Sequence, residues 1–156
     1  MRILIQRVNE ASVEIEGEIK SSITGGLLVL VGIEEADTKE DSDWLAGKLT
    51  GLRIFDDENG VMNRSVADIN GEVLIVSQFT LHALTRKGNR PSYIKAAKHE
   101  TAIPLYEHFC KSVSEKLGKE VKTGTFAADM KVSLVNDALK MAMIHALMGE
   151  DTKTLT

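Results

Sequence analysis

The sequence predicts an α/β domain, and three observations carry that prediction. Two runs, Leu27-Leu28-Val29-Leu30-Val31 and Val73-Leu74-Ile75-Val76, are apolar at every consecutive position, the pattern of strands covered on both faces. Two stretches, 44–52 and 103–117, repeat apolar residues at helical spacing and supply the cover. Elsewhere strict alternation appears, with Ala11, Val13 and Ile15 set against Ser12, Glu14 and Glu16, which marks a half-buried strand.

Taken in chain order, that half-buried strand reaches Gly17-Glu18, which turns into a partner strand near Ile19 and makes a hairpin. Gly25-Gly26 precedes the first doubly buried strand. A glycine pair ahead of a strand is a turn, because a phosphate loop would lead into a helix. Thr38 with Asp41 three residues on forms a capping box, and Trp44, Leu45, Lys48, Leu49 and Leu52 continue as a helix. Leu52-Arg53-Ile54-Phe55 is expected as a short strand, closed by the turn Asp56-Asp57-Glu58-Asn59-Gly60. That acidic turn lacks the later glutamate and the loop length of an EF-hand, so it reads as a solvated turn.

The second doubly buried strand runs straight into Ser77-Gln78-Phe79-Thr80-Leu81, which places hydroxyls and an amide where a core pattern would continue. Farther on, Ile103, Tyr106, Phe109, Cys110, Val113 and Leu117 form one helical stripe, with Pro104 expected in its first turn and Gly118 as its stop. Met130, Val132 and Leu134 then alternate with Lys131 and Ser133, and Asn136 continues the apolar phase. Two strands that end in inward polar groups suggest one shared site. Residues 138–148 are mostly strong helix formers, with methionine recurring from Met141 to Met148. This soft apolar stripe reads as core packing or dimer contact, against the alternative of an adaptable binding surface.

At 156 residues, 43% hydrophobic and 27% charged, the chain fits a single soluble domain over 1–156. No apolar run approaches the roughly 20 residues that would cross a membrane. Charge at Arg2 and Arg7 breaks the N-terminus too early for a signal peptide. The single cysteine, Cys110, excludes an internal disulfide; it reads as buried filler, and a reducing cytoplasm fits. The net charge of −4 argues against broad nucleic-acid binding. The charge is uneven, however. Residues 34–43 hold six acids and one lysine, whereas 82–98 hold Arg86, Lys87, Arg90, Lys95 and Lys98 and no acid. A basic segment beside a polar strand tip suits an anionic ligand, such as the end of a nucleic acid.

Much chemistry is missing from the pattern. His82, His99, His108 and His145 show no metal spacing, so no metal site is expected, and no cofactor motif, P-loop or nucleophile elbow is present. Ser77 and Thr80 are the well-placed hydroxyls, with no histidine at an obvious distance to activate them. They and Gln78 read equally well as a ligand site or as polar groups that satisfy a strand end.

The ordered motifs resemble the D-aminoacyl-tRNA deacylase family. The match rests on Gln6-Arg7-Val8, Ala11-Ser12-Val13, Leu52-Arg53-Ile54-Phe55, Gly60-Val61-Met62-Asn63, Ser77-Gln78-Phe79-Thr80-Leu81, Lys87-Gly88-Asn89-Arg90-Pro91-Ser92 and Phe126-Ala127-Ala128-Asp129-Met130. The resemblance implies a three-layer fold, barrel-like sheets covered by two main helices, and a homodimer with two active sites at its interface. It implies hydrolysis of D-aminoacyl-tRNA at its 3′ end, with Ser77, Gln78, Phe79 and Thr80 as catalytic residues. Arg7, Phe126, Met130, Asn136, Ala138 and Leu139 would meet the substrate, and Arg86, Lys87 and Arg90 the tRNA. In the family the 2′-hydroxyl of the terminal adenosine assists hydrolysis, with no protein nucleophile and no cofactor. Backbone N–H groups near Phe79 and Thr80 would then hold the oxyanion.

The sequence departs from the family in its last segment, 138–156. The second family motif is Asn-x-Gly-Pro-x-Thr, whose Gly-Pro pair projects a cis peptide into the partner's site and leaves no room for L-amino acids. Here it reads Asn136-Asp137-Ala138-Leu139-Lys140-Met141. A cis Ala-Leu bond would cost about 2.5–4 kcal/mol, against about 0.5–1 for X-Pro, so a trans bond is expected. Ala127 also stands where the family usually has glycine. A second function is therefore in view: a non-catalytic aminoacyl-tRNA or nucleotide-binding relative that has lost chiral selectivity. A structural homodimer without a ligand would leave the inward polar strand ends unexplained.

Overall fold

A long N-terminal strand organises the architecture, and every other part of the main sheet is placed by reference to it. The computed structural model describes residues 1–145, with backbone alone at 138–143 and 145. Strand β1 (Arg2–Ile15) turns at Glu16 and Gly17, both with positive φ (52° and 82°), into β2 (Glu18–Ile23). That left-handed pair gives the tight hairpin whose twist matches paired strands. Gly26 opens β3 (Gly26–Gly32), antiparallel to the first half of β1 from Arg2↔Gly32 to Val8↔Gly26.

Helix α1 (Lys39–Gly51) begins at the expected capping box: the Thr38 N–H donates to Asp41 Oδ2 at 2.9 Å. After it come the short strands β4 (Phe55–Asp56) and β5 (Met62–Arg64), then β6 (Glu72–Ser77). Helix α2 (His99–Leu117), β7 (Lys122–Thr123) and β8 (Met130–His145) complete the described chain. The main sheet has the order β2-β1-β3-β6-β7, with β8 paired along β1; β3, β6 and β7 run parallel to one another. At the open edge Ser21 Oγ donates to the Thr123 carbonyl at 2.7 Å, which brings β2 against β7 and nearly closes a barrel.

The doubly buried strands divide their side chains between two cores. Leu27, Val29 and Val31 of β3, with Val73 and Ile75 of β6, face the layer under α1 and α2, where Leu45, Leu49, Phe109 and Val113 meet them. Leu28, Leu74 and Val76 point the other way, into the barrel interior with Val8, Ala11 and Val13. Each such fully buried side chain contributes roughly 1.5–3 kcal/mol. Unbroken apolar runs are thus required by two cores on opposite faces of one sheet.

Four sequence expectations are corrected. Leu52 to Ile54 do not form a strand; the Ile54 carbonyl accepts from Arg7 Nη1 at 2.8 Å, and pairing begins only at Phe55. Helix α2 starts at His99, so Pro104 lies inside the helix past its first turn. Its early start is capped from a distant segment, for Glu35 Oε1 accepts from the Lys98 N–H (2.6 Å) and Glu35 Oε2 from Thr101 Oγ1 (2.8 Å). The chain after Ser77 forms a short 3-10 turn, Phe79–His82, instead of a strand tip. Finally, the helix formers after Asp137 continue β8 up to His145, because pairing with β1 (Gln6↔Met141 through Arg2↔His145) overrides local propensity. Residues 146–156, and with them the end of the methionine stripe, lie outside the described residues.

Candidate active site

The 3-10 turn after β6 is held by bonds to the frame around it. The Gln78 N–H donates to the Val31 carbonyl at 2.7 Å, the last tie between the end of β6 and β3. Arg2 Nη1 reaches across to the Leu81 carbonyl at 2.9 Å. Gly32 lets the turn lie flat on β3: a Cβ there would stand 2.9 Å from both His82 Cδ2 and Leu81 Cβ. His82 is buried beneath the turn with its Nδ1 3.2 Å from Glu34 Oε1. Burial holds its pKa below the ordinary value of 6.5, partly offset by a hydrogen bond with the Gly32 backbone and by Glu34.

This anchoring frees the start of the turn. The N–H groups of Phe79 and Thr80 come first in it, ahead of any acceptor that the turn itself supplies, and find none elsewhere among the described residues. Gln78 Nε2 donates to Thr80 Oγ1, which fixes the two side chains together.

Beside the turn lies a cavity of about 850 Å³, set between the ends of β3 and β6, the start of α2 and the segment before β8. Ser77, Gln78, Phe79, Phe126, Met130 and His99 are among its walls. The Phe126 ring packs edge-on against His99 (5.5 Å between centroids) and Tyr106 (5.8 Å), and the Tyr106 hydroxyl donates to the Ile75 carbonyl at 2.8 Å. Ala127 sits in the left-handed region with φ of 62°, a conformation that suits glycine better. Arg86, Lys87 and Arg90 project into solvent from a loop closed by paired backbone bonds between Leu84 and Ser92 (2.8 and 3.0 Å).

Arg7 and Asn136 do not line this cavity. Arg7 stands opposite Leu27, at the far end of β3 from Val31. Its buried guanidinium donates from Nε to Asp137 Oδ2 (2.6 Å) and from Nη1 to the Ile54 carbonyl (2.8 Å), with Asp56 Oδ1 at 3.3 Å and the Phe55 ring at 5.4 Å. Burial pulls its pKa down, but the hydrogen bonds and charges of Asp137 and Asp56 together outweigh that and raise it. Asn136 Oδ1 accepts from Gln6 Nε2 at 3.3 Å. Between Val8↔Asn136 and Gln6↔Met141 the strand β8 bulges, so Ala138 and Leu139 leave the ladder there. No peptide bond among the described residues is cis. The two polar strand ends therefore do not meet within one chain: β8 runs antiparallel to β1, and its bulge falls at the middle of β1, away from the end of β6.

Cys110 is half-buried, and burial pushes its thiol up to about 12, which keeps it protonated and unreactive. Arg2, Glu34 and His82, which hold the turn, carry no pattern that marks them in the sequence. Gly32 does, as a glycine that closes an apolar strand just where another segment must approach.

Fold and cavity together define a barrel-like α/β domain with an open cavity beside a turn whose leading backbone N–H groups are flanked by hydroxyls. The family model described as D-Tyr-tRNA(Tyr) deacylase matches residues 4–139. A D-aminoacyl-tRNA deacylase of Bacteroides thetaiotaomicron is 66% identical over 137 residues, 88% of this chain and 91% of the relative. One from Porphyromonas gingivalis is 64% identical over the same shares. The chain belongs to this family. Among solved structures, the c-Myc DNA Unwinding Element Binding Protein superposes with a TM-score of 0.90 at 36% identity, covering 94% of this chain and 99% of that one. A probable eukaryotic D-amino acid tRNA deacylase shares the fold, with a TM-score of 0.79 at 16% identity over 92% and 97% of the two chains. The family match stops at 139, inside the β8 bulge.

Proposed function

We propose that this chain hydrolyses the ester of D-aminoacyl-tRNA to free D-amino acid and tRNA. The observation that carries the proposal is the anchored turn at 78–82, which presents the unused N–H groups of Phe79 and Thr80 at the cavity that Ser77 and Gln78 line. Water adds to the ester carbonyl, whose oxygen takes up negative charge. The two N–H groups stabilise that charge where it develops, which is usually the largest single contribution to acyl transfer. The tetrahedral intermediate then collapses, the bond to the ribose oxygen breaks, and that oxygen leaves with a proton. The 2′-hydroxyl of the terminal adenosine assists, and Ser77, Gln78 and Thr80 orient the ester. Phe126 and Met130 hold the adenosine, while Arg86, Lys87 and Arg90 meet tRNA phosphates. The setting is the cytoplasm.

The site is completed by a second copy. In a homodimer the β8 bulge of one protomer, with Ala138, Leu139 and Asn136 and anchored by Arg7, enters the cavity of its partner. The distance of the bulge from the cavity of its own chain supports this arrangement. Because Ala138-Leu139 replaces Gly-Pro, discrimination between D- and L-substrates falls. The same replacement favours the second reading, a binding protein without catalysis.

The deciding experiment is deacylation of matched D- and L-aminoacyl-tRNA by the purified protein. Hydrolysis of the D-substrate with measurable hydrolysis of the L-substrate is expected. Strict D-selectivity would overturn the relaxed-chirality part, and adenosine binding without hydrolysis would establish the binder.

A further inference from the structure

The outer lip of the cavity carries an aromatic pair for which hydrolysis of the ester has no use. Phe79 is 57% exposed and Tyr93 37% exposed, and their rings meet edge to face with centroids 5.1 Å apart. The other phenylalanines and the other tyrosine, Phe55, Phe109, Phe126 and Tyr106, are all buried or packed against the core. Among the phenylalanines and tyrosines exposure is thus confined to this pair at one edge of the cavity; the remaining exposed aromatic ring, Trp44 (37%), stands alone on α1 beneath Lys48. Tyr93 directly follows the loop that Leu84 and Ser92 close, and that loop carries Arg86, Lys87 and Arg90. Residues 82–98 contain no acid that would repel a polyanion.

Exposed aromatic rings beside cations are the combination that binds single-stranded nucleic acid: every base has a π-face to stack, and every linkage has a phosphate to neutralise. With the terminal adenosine in the cavity, whose wall includes Phe79, the preceding nucleotide crosses this lip. We propose that Phe79 and Tyr93 form a stacking platform for the nucleobase that precedes the terminal adenosine of the substrate. The proposal takes the direction of the RNA from the deacylase reading.

The test compares the full-length protein with Tyr93→Ala and Tyr93→Phe by fluorescence anisotropy on a short single-stranded RNA ending in CCA, and by calorimetry on adenosine. Tyr93→Ala should weaken RNA binding about tenfold, equivalent to about 1.4 kcal/mol, and leave adenosine affinity within twofold. Tyr93→Phe should bind RNA as the unmodified protein does. Unchanged RNA affinity in Tyr93→Ala, or equal loss for RNA and adenosine, would overturn the platform. So would a shift of Tyr93→Ala from dimer to monomer in sedimentation, which would assign the pair to a contact with a second copy. Deacylation on the same preparation separates the two ideas: its absence defeats the deacylase reading, whereas the RNA-to-adenosine contrast alone decides the platform.

Discussion

The turn at 78–82 and the bulge at 137–140 are both polar interruptions of a strand, yet they are held in opposite ways. The turn is fixed from several sides: a backbone bond to Val31, a glycine that admits close approach, Arg2 on a carbonyl, and a buried histidine below. Among the described side chains the bulge is held by Arg7, which gathers Asp137, Asp56 and the Ile54 carbonyl, and by Gln6, which donates to Asn136. Redundant backbone anchoring keeps its geometry through many side-chain changes. Anchoring by a few side chains leaves the rest of the bulge freer to change sequence, and the family match ends there, at residue 139.

The sharpest way to break the comparison is Arg7→Ala. It removes one partner from a largely buried ion pair and should destabilise the fold by about 2–3 kcal/mol. The lower end applies because Asp137 and Asp56 keep a third or more of their side chains in water (33% and 39%). Urea unfolding measures the loss, and Arg7→Lys should recover less than half of it, since an ammonium cannot reproduce the fork. A loss below 0.5 kcal/mol would mean the bulge has other anchors.

Gly32→Ala tests the other region. Its methyl group would push the turn off β3 by the clash with His82 and Leu81, at a stability cost of about 1–2 kcal/mol. The larger signature should be kinetic, with kcat for deacylation falling tenfold or more while KM changes little. A rise in KM with kcat unchanged would show that the turn binds substrate without stabilising the transition state.

Ala127→Gly should act in the opposite direction. Relief of the left-handed strain at φ 62° is expected to offset the extra chain entropy and stabilise the protein by up to about 1 kcal/mol, read as a rise in Tm. An unchanged or lower Tm would mean that the alanine methyl contributes packing that glycine cannot.

The smallest effect concerns acid. His82 has a folded-state pKa below its ordinary value of 6.5, so the unfolded chain takes up a proton first as pH falls. The stability that comes from neutral His82 is therefore complete above about pH 6.5 and is lost as pH drops through the folded value. Glu34, Arg2 and the N-terminal amino group act on the same ring. Urea midpoints measured from pH 7.5 to 5 should decline, and His82→Leu should flatten that decline. An identical slope in both proteins would assign acid sensitivity elsewhere.

Much of this molecule was legible in the sequence where one local pattern had one physical meaning. The apolar runs at 27–31 and 73–76, the capping box at Thr38 and the stop at Gly118 all appear as expected, the last with φ of 74°. The polar segment after β6, expected as a ligand site, does border a cavity. Failures came where a distant partner decided the outcome. Glu35 caps α2 from more than 60 positions away, pairing with β1 pulls helix formers into β8, and Arg7 takes the Ile54 carbonyl that a strand would have used. Nor does any periodicity show that Asn136 and Ser77 lie at different ends of the sheet, since inward polarity specifies a face and not a position along it.

Strands β3 and β6 act as a wall shared by two rooms, with successive residues such as Leu28 and Val29 facing different cores. Neither core can then melt alone, because loosening one side frees the backbone that holds the other. The domain should unfold in a single cooperative step, with coincident transitions by fluorescence and circular dichroism. Amide hydrogen exchange should be slowest along 27–31 and 73–76, where opening demands global unfolding. The turn proposed for catalysis shares that rigidity, since Gln78 is bonded to the end of the shared wall.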